Sequence, residues 1–212
     1  MFRYDIINSL ITKYKFNNYL EIGVRDPNDC FNLINCNIKH SVDPMFERYE
    51  ESINFKHTSD DFFNLLENNI LNLSPDYKWD VIFIDGYHIS TQVDKDIKNS
   101  LNHLSENGFI ILHDCNPPNI FRAREDFVVD GQMLEWNGTV WKAIYKLRAT
   151  RPDLFIYTVD TDEGIGVITK GIQTCCDFDN PFYEYRMFEK NRVEYLNLIS
   201  VDDFKQTILR QI

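Results

Sequence analysis

Trp79-Asp80-Val81-Ile82-Phe83-Ile84-Asp85-Gly86-Tyr87-His88 decides the fold. Its apolar run, 81–84, reads as a strand covered on both faces, as in a parallel sheet. The run stops at a carboxylate, a glycine, an aromatic ring and a histidine. Phe109-Ile110-Ile111-Leu112 repeats the arrangement and leads into His113-Asp114. Ligands of open parallel sheets bind beyond the carboxyl ends of the strands. Two buried strands therefore each deliver an acid and a histidine to the edge where chemistry is expected.

Outward from these strands, helical and extended patterns alternate, which implies an α/β fold with a mostly parallel sheet. Ile6, Ile7, Leu10, Ile11 and Tyr14 place a helix over 4–14. A first strand covers 19–22 and is broken by Gly23. A helix is expected over 28–35, a second strand over 39–42 ending in Asp43-Pro44, and a third over 53–58. Asp60 or Asp61 is expected to cap a helix over 62–68. The fourth strand is 79–85. The helix over 90–104 carries Val93, Ile97, Leu101 and Leu104 on one stripe, and Asn107-Gly108 should close it with a left-handed turn. The fifth strand is 109–112. Asn116-Pro117-Pro118-Asn119 must be a loop, and the residues to about 137 fit no pattern. A helix over 139–149 precedes a closing pair of strands, 155–159 and 166–169. The polar, aromatic remainder from 171 reads as an extension rather than a domain.

The 212 residues suffice for one sizeable core. A net charge of −11 argues against nucleic acid and against an anionic membrane surface. The five cysteines, an odd number without metal-site spacing, point to reduced thiols in a cytoplasmic protein. The amino terminus does not read as a signal peptide, and no stretch is apolar for long enough to span a bilayer.

Glu21-Ile22-Gly23 ends the first strand with a residue that lets a ligand approach the backbone. Asp43 follows Gly23 by 20 residues, at the end of the next strand, where an acid would accept from ribose hydroxyls. A dinucleotide site wants three spaced glycines, and one is present; Glu21 and Asp26 would also repel a pyrophosphate. A nucleoside without phosphates fits better, with Glu21 near a cationic group, as in S-adenosylmethionine. An ordinary strand–turn–helix with chance acids has the same pattern.

Taken together, Tyr19-Leu20-Glu21-Ile22-Gly23, Asp43-Pro44, Ile84-Asp85-Gly86-Tyr87-His88 and His113-Asp114 resemble, in order and spacing, class I S-adenosylmethionine-dependent methyltransferases. The likeness is greatest to the small O-methyltransferase-type family with I-D-G-x-H and H-D motifs. Trp136-Asn137-Gly138-Thr139-Val140-Trp141-Lys142 and 158–168 are similar to its glycan-associated members. The resemblance covers residues 1 to about 170. It implies a Rossmann-like, doubly wound, mostly parallel seven-stranded sheet with helices on both faces. It further implies a methyltransferase domain over 1–170, with an extension over 171–212 packed on it. Glu21, Ile22 and Gly23 would line the methionine side of the cofactor, Asp43 the ribose, Ser59 and Asp60 the adenine, and Asp85 the transfer centre. Metal-dependent relatives bind magnesium through acids after these two strands; here Asp85, His113 and Asp114 would be the ligands. The histidine puts magnesium in doubt and leaves a softer divalent ion, or no metal, open.

His88 is the expected general base, because imidazole titrates near neutrality. Asp85 or Asp114 would orient it, and His113 is a further catalytic candidate. A surface histidine capping the next helix is the plainer reading of His88. His40, His57 and His103 read as structural. Trp136 and Trp141 read as core or as a sugar-stacking wall. Lys142, Lys146, Arg148 and Arg151 read as a solvated helix face, and 160–163 as an exposed turn. The expected activity is methyl transfer to a hydroxyl of a small acceptor, a sugar or nucleotide sugar. An NAD-dependent oxidoreductase and a non-catalytic scaffold are the alternatives, and homo-oligomerisation is open.

Overall fold

The computed structural model describes residues 1–209. Its strands are β1 (Asn18–Ile22), β2 (Ile38–Val42), β3 (Trp79–Ile84), β4 (Leu104–Leu112), β5 (Val128–Val129), β6 (Gln132–Met133), β7 (Leu154–Val159), β8 (Ile165–Lys170) and β9 (Leu198–Ile199). Its helices are α1 (Arg3–Tyr14), α2 (Ser59–Glu67), α3 (Ser90–Asn102), α4 (Val140–Thr150), α5 (Tyr185–Leu196) and α6 (Val201–Leu209). Seven strands form one mostly parallel, Rossmann-like sheet, and β5 and β6 form a separate hairpin. By contact density the chain divides into an amino-terminal unit (2–87 and 95–111) and a carboxy-terminal unit (Met1, 88–94 and 112 onward).

In the amino-terminal unit the strand order is β2-β1-β3-β4. β1 pairs in parallel with β2 and β3, with Ile22 opposite Val42 on one side and Ile84 on the other. Trp79 is fully buried and donates from Nε1 to His40 Nδ1 at 3.0 Å. Phe62 and His103 complete this cluster, and His103 Nδ1 lies 3.1 Å from Tyr77 O. His40 and His103 are thus structural.

Four sequence expectations fail here for identifiable reasons. The helix over 28–35 shrinks to a 3-10 turn at Phe31–Leu33. Its asparagines and aspartates take the backbone bonds a helix would need: Asn28 N–H donates to Asp26 Oδ1 and Asn35 N–H to Asn8 Oδ1. The strand over 53–58 is only an isolated bridge between Val42 and Phe55, because Asn54 and Ser41 join through their side chains. The seventh strand is instead β9, from the carboxy-terminal extension. Finally, Asn107-Gly108 does not cap α3. The helix ends at Asn102 and these residues lie inside β4, where a Cβ on Gly108 would sit 2.8 Å from Asp80 O. The cap of α2 is Thr58, whose Oγ1 accepts from Asp61 N–H at 3.1 Å, not Asp60 or Asp61.

In the carboxy-terminal unit the strand order is β8-β7-β9, with β8 antiparallel and β9 parallel to β7. α4 and α5 pack through rings: Trp141 on Phe188 at 4.4 Å and Tyr145 on Tyr195 at 4.1 Å. Trp141 is therefore core. The basic cluster on α4 is dispersed into separate contacts: Lys142 with Glu125, Lys146 with Asp94, Arg151 with Asp153, and buried Arg148 with Gln173. Residues 119–137, without pattern in the sequence, contain the β5–β6 hairpin. Its turn is Asp130-Gly131 with φ of 49° and 75°, the geometry of a two-residue hairpin loop. All five cysteines are free thiols. No described helix is long and apolar enough to cross a membrane.

Gly23 and Gly131 separate two effects of adding a methyl group. Both have positive φ, but a Cβ at Gly23 would lie 2.3 Å from Gly86 Cα, whereas one at Gly131 meets nothing within 4 Å. Gly131→Ala should cost only the left-handed term, about 1–2 kcal/mol. Gly23→Ala adds about 1–3 kcal/mol of overpacking. Thermal unfolding should show the larger loss for Gly23→Ala; equal losses would refute the close approach.

Candidate active site

The carboxyl ends of β1 and β3 meet in the amino-terminal unit. Gly23 N–H donates to Val42 O and Asp85 N–H to Ile22 O, each at 2.9 Å. The absent Cβ of Gly23 serves first the close approach of the 85–86 backbone. Asp43 Oδ2 accepts from Val24 N–H and Arg25 N–H at 3.0 Å each, and Oδ1 from Met45 N–H at 2.7 Å. Three of the roughly four acceptor positions of its carboxylate are thereby used, leaving about one for a ribose hydroxyl. Ser59 is buried at the start of α2, and Asp60 pairs with Lys95 at 2.8 Å.

Glu21 is 1% exposed, and Tyr19 OH donates to its Oε2. Burial pushes the Glu21 carboxyl up to about 8, and the negative Asp85 adds to this, while hydrogen bonds from Tyr19 and Cys30 oppose it. Burial likewise raises the Tyr19 hydroxyl and the Cys30 thiol. Burial thus favours the neutral form of Glu21 near pH 7.

The second cluster lies in the carboxy-terminal unit, around Asp114. Asp114 is buried and left-handed, with φ of 61°. Its Oδ2 lies 3.1 Å from His113 Nδ1 and 3.2 Å from His88 Nδ1, and its Oδ1 accepts from Asn137 Nδ2 at 2.7 Å. Both partners of the Asn137 amide nitrogen are carboxylates, the second being Glu163 Oε2 at 3.2 Å, which fixes its orientation. His113 Nε2 faces Asp162 Oδ1 at 3.6 Å. The His88 ring stacks on Trp136, with centroids 5.1 Å apart and an interplanar angle of 22°. Gly138 lets the chain pass His88: a Cβ there would lie 2.2 Å from His88 O. Thr139 N–H donates to that oxygen at 2.8 Å, and Thr139 Oγ1 accepts from Ser90 N–H at 2.8 Å.

The structure thus groups Glu21, Ile22, Gly23, Asp43 and Asp85 in one unit, and His88, His113 and Asp114 in the other. Trp136 packs against the imidazole rather than lying in the core. Asn137, Gly138, Asp162 and Glu163 escaped the sequence reading. Residues 160–163 are no idle turn, since Asp162 and Glu163 reach His113 and Asn137. Their left-handed backbones, with φ of 46° and 63°, hold this bend together with Gly164 at 89°. The Asn-Gly pair and the Asp-Glu-Gly run were the available signals.

Residues 20–115 match the family model described as a methyltransferase domain. An O-methyltransferase from Bacillus cereus, solved in complex with SAH, is 15% identical, with a TM-score of 0.51 over 78% of this chain and 80% of that one. A protein assigned as a caffeoyl-CoA O-methyltransferase from Staphylococcus aureus is 17% identical, with a TM-score of 0.50 over 79% and 82%. At these identities the structural likeness establishes the fold. No curated protein matches the sequence. The chain thus matches a methyltransferase domain over residues 20–115 and has the fold of class I O-methyltransferases.

The Glu21 acid gives stability a sign with pH. Below its ordinary value of 4.5 the carboxyl is neutral in folded and unfolded chains alike; from there to about 8 only the folded chain keeps the proton. This group's contribution should therefore fall by up to about 1.4 kcal/mol per pH unit across that window. Glu21→Gln, neutral at every pH, should flatten this decline in denaturant titrations. Parallel slopes in variant and wild type would refute the buried neutral acid.

Proposed function

We propose that this methyltransferase moves the methyl group of S-adenosylmethionine to a hydroxyl of a small carbohydrate acceptor, a sugar or nucleotide sugar. The observation carrying this reading is the contact of His88 with Asp114 within a chain whose residues 20–115 match a methyltransferase domain. Residues 1–170 act as the methyltransferase domain and 171–212 as an extension that serves it. The lone glycine after β1 and buried Glu21 speak against a dinucleotide pyrophosphate.

In this reading Glu21, Ile22, Gly23 and Asp43 hold the donor, with the Glu21 carboxyl toward its cationic end. Ser59 and Asp60 flank the adenine, and Asp85 borders the transfer centre. His88 Nδ1 faces Asp114, so the ring takes the acceptor proton at Nε2. Asp114 then stabilises the imidazolium, while His113 and Asn137 hold the carboxylate still. The acceptor oxygen forms a bond to the methyl carbon as the bond from sulfur breaks, and the sulfonium becomes a neutral thioether. Positioning supplies much of the rate in such an in-line displacement. Asp85, His113 and Asp114 would be the donors for a metal. Two carboxylates and an imidazole suit a softer divalent ion better than magnesium. A bound ion would polarise the acceptor hydroxyl.

Release of S-adenosylhomocysteine across a panel of sugars and nucleotide sugars tests the base. His88→Ala should lower kcat by about 10²-fold or more, within the usual range for general-base catalysis. Asp114→Asn should lower it less. Unchanged turnover in both variants would remove the proposed centre. Donor binding offers a second check. At pH 7 a cation beside Glu21 should expel close to one proton, seen as a buffer-dependent binding enthalpy in calorimetry. Glu21→Gln should abolish that dependence; its persistence would place the cation elsewhere.

A further inference from the structure

The segment 119–137 ends beside His88, at Trp136, and one side chain closes it. Arg124 donates to four backbone carbonyls: from Nη1 to Phe121 O and Glu135 O at 2.8 Å each, and from Nη2 to Leu134 O at 3.0 Å and Phe127 O at 3.1 Å. The guanidinium lies 4.3 Å from the centroid of the Phe121 ring. The backbone oxygen of Arg124 accepts from Trp136 Nε1 at 2.7 Å, and the Phe127 ring packs on the indole with centroids 5.3 Å apart. Arg124 thus ties the early and late parts of the segment together and pins the indole at its end.

The His88 backbone is held by other means. Thr139 N–H donates to His88 O and Ser90 N–H to Thr139 Oγ1, while Asn137 N–H and Gly138 N–H both donate to Arg122 O, at 2.9 and 3.1 Å. The imidazole ring is a separate matter. The terminal torsion of a histidine side chain is broad, so the backbone does not fix the ring plane. Asp114 meets the ring at Nδ1 alone, and a contact at one edge permits tilting about that edge. The indole of Trp136, 5.1 Å away and inclined by 22°, covers a face and removes the tilt.

We propose that Arg124 is a positioning residue for methyl transfer: it holds Trp136, and Trp136 holds the plane of the His88 ring. The inference rests on the reading of His88 as the base and deepens it. What it needs from Arg124 is shape rather than charge. A guanidinium fans its N–H groups across one plane and so reaches several carbonyls from a fixed fork, whereas an ammonium is a point charge with fewer donors. With the segment unclasped, Trp136 leaves the imidazole, the ring tilts about its Asp114 contact, and Nε2 moves off the line to the acceptor hydroxyl. A misplacement of about 1 Å at a reacting centre can cost about 10²-fold in rate.

The test compares the full chain with Arg124→Lys, Trp136→Leu, Trp136→Phe and the Arg124→Lys/Trp136→Leu double variant, well below their unfolding temperatures. In nuclear magnetic resonance the indole should shift the carbon-bound ring protons of wild-type His88 upfield. That shift should vanish in Trp136→Leu, shrink in Arg124→Lys and survive in part in Trp136→Phe. With the best acceptor of the sugar panel, kcat should fall about tenfold or more in Arg124→Lys and Trp136→Leu, and less in Trp136→Phe, with the KM for S-adenosylmethionine unchanged. The double variant should be no slower than Trp136→Leu, because Arg124 acts through the indole. An arginine that merely stabilises the segment would lower the unfolding temperature and leave both the His88 shift and kcat intact. That result, or losses that multiply in the double variant, overturns the inference. Should the variants fail to fold, the wild type decides: separate, slowly exchanging Arg124 Nη protons with a shifted His88 ring support the inference, and averaged Nη protons or an unshifted ring overturn it. Absence of wild-type turnover with every acceptor counts against the methyltransferase reading, and the His88 shift in Arg124→Lys still decides the role of Arg124.

Discussion

The carboxylate of Asp114 is the contact on which the carboxy-terminal unit's chemistry depends. It meets His88, His113 and Asn137 at once, from a left-handed backbone that costs an ordinary residue about 1–2 kcal/mol. Hydrogen bonds to a charged group contribute about 1.5–3 kcal/mol each. One such bond is enough to offset the strain, and the rest fix the geometry. His88 is placed by this contact on one edge and by Trp136 on its face. Gly138 then lets the chain carrying Trp136 and Asn137 pass within reach.

Strain in this chain gathers at strand ends. Gly23 and Arg25 follow β1, Asp114 follows β4, and Asp162, Glu163 and Gly164 join β7 to β8, all with positive φ. β1, β3 and β7 are almost wholly buried. This is the expected division of labour: a rigid interior over-determines the residues at its rim, so they can hold conformations they would not choose alone. Glu21 shows the same logic in electrostatic form. Burial favours the neutral form of its carboxyl against the opposing hydrogen bond from Tyr19.

What could be read from the sequence divides along the same line. The buried strands at 81–84 and 109–112 were legible because their apolar runs admit few other folds, and the acids and histidines after them follow from topology. The helix at 28–35 was misread because its asparagines and aspartates satisfy each other through side chains, which periodicity does not register. Asn107-Gly108 was misread because glycine after a helix suggests a cap, whereas here it admits the Asp80 carbonyl to β4. Asn137 and Glu163 were invisible for another reason. Their roles come from contacts over 20 residues or more along the chain, and the glycine after each signals a turn but not its partner. The Asp130-Gly131 turn, by contrast, carried a readable hairpin signal.

The carboxy-terminal extension shows why pattern and structure part company. It supplies β9, which pairs with β7 at the edge of the sheet, and α5 brings Arg192 against Asn116, Pro117 and Tyr185. A strand at the sheet's edge tolerates a polar, weakly periodic sequence, because only one side must pair and pack.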